Sequence, residues 1–162
     1  MRVRLWWLVP AMLLALAGGA LAASDDPKPP SKPLPRASIV IDSDSGPARF
    51  TVEVAGDPQS QAYGLMNRKS LGANAGMLFD FHQPVMTSFW MKNTLIPLDM
   101  IFIRPDGVIS SIAAEAEPLS LTSIPCIEPV RAVLEIKGGR AAELNIYPGQ
   151  RVHGAIFGRI RH

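Results

Sequence analysis

The stretch Thr87 to Met100, TSFWMKNTLIPLDM, carries the densest run of chemically useful side chains in the protein. Read as a strand over residues 85–92 it alternates, with Ser88, Trp90 and Lys92 on one face and Phe89 and Met91 on the other. The apolar pair suits a core. The trio sets a hydroxyl, an indole and an ammonium side by side, a combination able to stack on and hydrogen-bond a polar ring or an anion. Asn93, Thr94 and Asp99 follow in the next turn and enlarge the polar inventory. A plainer, architectural reading stands beside this one. In it Trp90 packs under a loop, Lys92 pairs with an acid, Asn93 and Thr94 satisfy turn backbone, and Asp99 caps a loop.

Other candidates are weaker. Glu135 sits between Leu134 and Ile136 and points away from both, where Lys92 or Arg68 is available as an ionic partner. Cys126 is the one cysteine; it lies in a proline-rich loop without an activating neighbour, so it reads as an apolar filler rather than a nucleophile. Ser88 and Lys92 are four apart, not the three of a Ser-x-x-Lys arrangement. Asp80 and His82 share a strand face as a metal or acid-base pair, but neither His153 nor His162 supplies an obvious third ligand. The sequence has no phosphate loop, paired CxxC or HExxH motif, so no metal and no cofactor is expected.

The elements that must hold these groups read as strands. Residues 37–41 and 49–54 are β-branched and aromatic runs around the turn-forming DSDSGP, a hairpin signature. Asp57 and Pro58 look like a cap and first-turn proline opening a short helix through about Met66. Strands are predicted at 76–81, 85–92, 99–104, 108–113 and 130–136, with the turn Pro105, Asp106, Gly107 between the third and fourth of them. Residues 116–129 read as an irregular loop, 139–144 as about one helical turn, and 150–160 as a last strand. The expected fold is mainly β with some α: a compact antiparallel β-rich sheet or barrel with one or two short helices.

Composition sets the boundaries. With 48% hydrophobic and 19% charged residues the chain is globular in type, and 15 prolines and 13 glycines argue against long helices. Residues 1–22 combine Arg2 and Arg4, an apolar run to Ala17 and small residues at 20–22, which reads as a cleavable export signal. That run is too short for a permanent membrane span. Residues 23–36 include SDDPKPPSKPLPR, whose five prolines make an extended tether. Residues 37–162 then form a single domain. Removing the signal takes two arginines and no acid, so 16 basic side chains become 14, against 14 acidic. A formally neutral product lacks the footprint of a nucleic-acid binder.

Four segments resemble a known family in their order: Gly64 to Arg68 (GLMNR), Gly76 to Phe81 (GMLFDF), Phe89 to Met100 (FWMKNTLIPLDM) and Val133 to Gly139 (VLEIKGG). They are similar to the family called domain of unknown function 192, over about residues 48–152. The resemblance implies a compact β-rich domain, often exported, with no established activity. It places Arg68, Trp90, Lys92, Asn93, Thr94, Asp99 and Glu135 at motif positions. The family usually has an acidic residue after the glycine near its end, where this chain has Gly149 and Gln150.

Together these observations point to an exported domain, periplasmic or secreted, with a ligand cleft at the FWMKNT motif. A small polar or anionic ligand, such as a saccharide or peptide carboxylate, or an envelope protein is the expected partner. The alternative is a hydrolase of envelope substrates with Asp99 or Glu135 as acid or base and Lys92 stabilising developing negative charge.

Overall fold

The computed structural model describes residues 26–157, so the expected export signal lies outside the described residues. Strands β1 (Arg36–Ser43) and β2 (Gly46–Ala55) form the expected hairpin, with Ile39 opposite Phe50 and Ile41 opposite Ala48. Both strands run further than their hydrophobic residues alone suggested. Gly46, at φ 101°, turns the chain where a side chain would be strained.

Helix α1 (Pro58–Tyr63) follows. The Asp57 carboxylate accepts from the amides of Gln59 and Ser60, both at 3.0 Å, and proline fills the first turn. The helix stops at Tyr63, before the expected Met66, because Gly64 leaves helical space at φ 52°. Asp57→Ala should cost about 1 kcal/mol through the lost cap, measurable as a lowered urea midpoint at constant slope.

With α1 in the connection, β3 (Ala75–Val85) pairs parallel to β2, one parallel pairing within the expected antiparallel β-rich sheet. A crossover of this length permits that geometry. The remaining pairings in this sheet are antiparallel. Strands β5 (Leu98–Ile103) and β6 (Ile109–Ala116) join through the expected tight turn, in which the Gly107 amide donates to the Arg104 carbonyl. Strand β8 (Val130–Lys137) lies between β3 and β5. Helix α2 is the single turn Arg140–Glu143, and β9 is only Val152–His153 beside β1; the end of the expected 150–160 strand is outside the described residues. The order β6-β5-β8-β3-β2-β1-β9 makes a curled half-barrel.

The expected strand at 85–92 is cut to β4 (Ser88–Phe89), which pairs with β7 (Ile124–Pro125) in a separate two-stranded ribbon. The chain leaves extended geometry because Asn93 is left-handed, at φ 55°, and the Thr94 amide closes a turn on the Met91 carbonyl. The 116–129 loop supplies the covering partner, and there the Met91 amide donates to Ser120 O at 2.9 Å.

Alternation along the strands divides the core in two. Ile39, Phe50, Leu78, Ile101, Leu134 and Ile136 pack on one face of the sheet. Met77, Phe79, Met100, Phe102 and Val133 pack on the other, together with Leu65, Met91 and Cys126 from the covering segments. This second face carries the candidate site.

Candidate functional site

The site is built on β8. Because Leu134 and Ile136 belong to the first core, Glu135 must project into the second, between its ladder partners Met77 on β3 and Met100 on β5. It is only 4% exposed and opens onto a cavity of about 310 Å³. Burial alone pushes its carboxyl up to about 8, since no cation or donor among the described residues holds it down. The proposed partners are engaged elsewhere. Arg68 makes a two-point pair with Glu53, and Lys92 Nζ lies 2.7 Å from Asp26 Oδ1.

Aromatic packing shapes the wall. Phe89 meets Phe79 edge-to-face at 4.9 Å and Phe102 at 6.1 Å, which carries the motif across the second core. The alternation expected from residues 88–92 survives although most of the strand does not. Phe89 and Met91 turn inward, and Trp90 stays half exposed at the rim. The Lys92 ammonium sits 5.5 Å from the centre of the Trp90 ring, within cation–π range. Gly64 and Tyr63, at the end of α1, complete the opposite wall. A Cβ at Gly64 would approach the Phe79 ring to 3.2 Å, so glycine keeps that wall close to the aromatic floor.

The seven motif residues therefore divide. Trp90, Lys92, Thr94 and Glu135 all line the cavity. Asn93 adjoins it as the left-handed turn residue, its carbonyl accepting from Asn67 N at 2.8 Å. Thr94 also serves the turn, its hydroxyl donating to the Lys92 carbonyl at 3.3 Å. Arg68 faces a neighbouring groove instead.

Asp99 is not at the cavity. It is fully buried on the face opposite Met100 and Glu135, where its carboxylate accepts from the amides of Glu115, Gly139 and Ala141 at 2.8, 3.0 and 2.7 Å. Those bonds bind the end of β6 and the start of α2 to β5. Asp99 is thus architectural, and an acid-base pairing of Asp99 with Lys92 has no geometric basis.

The remaining candidates are also satisfied. Burial works to raise the Asp80 carboxyl, but hydrogen bonds from Arg131 and the His82 amide outweigh it and hold the group below the usual range. Asp80 is ion-paired with Arg131 of β8, and the His82 ring lies 3.5 Å from the same carboxylate. No group of three or more metal-ligating side chains occurs among the described residues. Cys126 is buried, its sulfur 3.1 Å from the Thr87 amide, as befits a filler of the second core.

Sequence reasoning missed Asp26 and Pro27, which close one side of the site, and the α1 wall. The signals existed in the SDDPKPP run and in GLMNR, but only tertiary structure brings them to FWMKNT.

The family model of DUF192, uncharacterized ACR, matches residues 39–154. The chain belongs to the DUF192 family. Among solved structures, a Sinorhizobium meliloti 1021 protein provisionally labelled a transcription regulator is similar at 39% identity and a TM-score of 0.75, covering 78% of this chain and 99% of that one. A Novosphingobium aromaticivorans DSM 12444 protein of unknown function is 44% identical with a TM-score of 0.73, covering 76% and 89% respectively. No protein of curated function matches. Both of these proteins share this chain's β-rich fold.

Proposed function

We propose that this DUF192 protein is an exported binding or accessory domain that takes a small polar or anionic ligand in the cleft beneath Trp90. Glu135 is the observation that carries the reading. An apolar core gains nothing from a buried, unpaired carboxyl, whereas a cleft can use it as a neutral hydrogen-bond donor at its floor. Lys92 supplies positive charge at the rim and Trp90 a stacking face. The cleft has the scale of a small-molecule site, apolar-walled with a few polar groups.

Export to the periplasm or beyond is supported by the charge and apolar pattern of residues 1–22. No helix among the described residues is long and apolar enough to cross a membrane. The transcription-regulator label of the S. meliloti neighbour draws no support from the balanced charge left once an export signal is removed. An envelope protein presenting an anionic group would satisfy the same chemistry. A hydrolytic reading stands only through Glu135, whose protonated carboxyl could act as a general acid beside Lys92.

The test is thermal stability of the purified protein against sugars, peptides, metals and small anions, repeated with Lys92→Ala. A ligand at about a hundred times its Kd should add about 2.7 kcal/mol and raise Tm by several degrees. Loss of that shift in the variant supports the site. Identical shifts in both proteins, or none in either, would remove the assignment.

A further inference from the structure

The segment 26–35 has no regular secondary structure, as a tether should not, yet it lies against the domain. It is fixed at three points. Asp26 Oδ1 meets Lys92 Nζ at 2.7 Å, the Pro29 carbonyl accepts from Gln59 Nε2 at 3.2 Å, and the Pro35 carbonyl accepts from Val54 N at 2.8 Å. Between these points Pro27 forms part of the cavity wall, and Pro30 and Pro33 line the adjoining groove with Tyr63 and Arg68. Leu34 packs on the second core.

Proline-rich chain in extended form loses little entropy on docking, and aromatic rims are the usual surfaces that receive it. Here the rim residues are Trp90 and Tyr63. Lys92 is the positively charged residue on the cavity wall, and an aspartate immediately before a proline occupies it. Lys92, and to a smaller extent Asn93, hold the Asp26 carboxyl below its usual range.

We propose that the cleft and its adjoining groove form a recognition site for an extended proline-rich peptide headed by an aspartate, read through an Asp-Pro pair, and that residues 26–35 are its tethered occupant. This rests on the binding reading above and specifies its ligand class. Lys92 takes the aspartate carboxylate, the following proline closes one wall of the cavity, and the later prolines border the groove beside Arg68. The ion pair at the head of the segment is partly exposed, so it is weak enough to be exchanged. A tether of this length supplies its occupant at roughly millimolar effective concentration, so a free peptide competes poorly until the tether is released.

The experiment titrates the free peptide DPKPPSKPLP, blocked at both ends, into the whole protein by calorimetry, with acetate as the bare-anion control. The proteins are the parent, Asp26→Lys, and Asp26→Lys combined with Lys92→Ala. Asp26 lies in an extended segment with a half-exposed side chain, so its replacement spares the fold. Asp26→Lys should bind the peptide at least tenfold tighter than the parent, the double variant should lose that binding, and acetate should bind none of them comparably. Equal affinity of parent and Asp26→Lys, or no binding to either, overturns the peptide assignment. If small anions still stabilise the parent in a Lys92-dependent way, the binding reading survives that failure. Peptide binding that persists without Lys92 overturns both.

Discussion

Glu135→Gln should make the protein more stable than its parent at pH 8, by ~3 kcal/mol, and nearly equal to it at pH 4. The sign follows from the raised carboxyl. The folded state keeps its proton up to about 8, while an unfolded chain releases it near 4.5. Between those limits the folded protein binds more protons than the unfolded one, so the parent loses stability as pH rises, by about 1.4 kcal/mol per pH unit at most. Above about pH 8 the loss is complete and the curve flattens. Water entering the open cleft reduces the total, hence the smaller figure. Glutamine keeps the shape and removes the titration. Urea unfolding of both proteins from pH 4 to 9 checks this, and parallel curves would show that Glu135 ionises freely in the folded state.

The second large effect belongs to Asp99. Asp99→Ala removes the acceptor of three amides at once, and each buried donor left without a partner costs on the order of 1–3 kcal/mol before relaxation. We expect a loss of ~4 kcal/mol in urea unfolding, with Asp99→Asn recovering part of it through its single carbonyl oxygen. Ligand-induced shifts in whatever folded protein remains should be unchanged, because Asp99 faces away from the cleft. A variant of parental stability would mean that those amides find other partners.

These two acids show how far sequence reasoning reaches. Both are motif residues, and both sit on strands predicted within a residue or two. Alternation even gives their directions relative to their neighbours. What it does not give is which face of each strand meets the cavity, since that depends on β8 lying between β3 and β5, a non-local pairing with no local signature. The sequence alone therefore groups Asp99 with Lys92, although the sheet separates them.

Local features were legible for local reasons. The β1–β2 turn, the Asp57 cap and the Gly107 turn each depend on a few adjacent residues whose backbone preferences are strong. The parallel β2–β3 pairing was not legible, because the same apolar runs serve either direction. Nor was the shortening of the 85–92 strand, where an alternating pattern persists without a continuous ladder and Asn93 ends the extension. The docking of the proline-rich segment was hidden for a related reason. Its composition gives its stiffness, but its contacts, Val54, Gln59 and Lys92, are distant from it in sequence.

The placement of β8 also governs when this protein can fold. β3 and β5 are neighbours in the sheet only through β8, whose first residue is Val130, so neither can complete its ladder until most of the chain is present. The hairpin can form early, but the two hydrophobic layers remain unsealed. Such non-local closure makes folding slow, typically milliseconds to seconds for sheet-dominated domains. Under the export proposed above, that delay would keep the strands threadable during passage. It also leaves methionine- and phenylalanine-rich surface open to aggregation until β8, near the end of the chain, arrives.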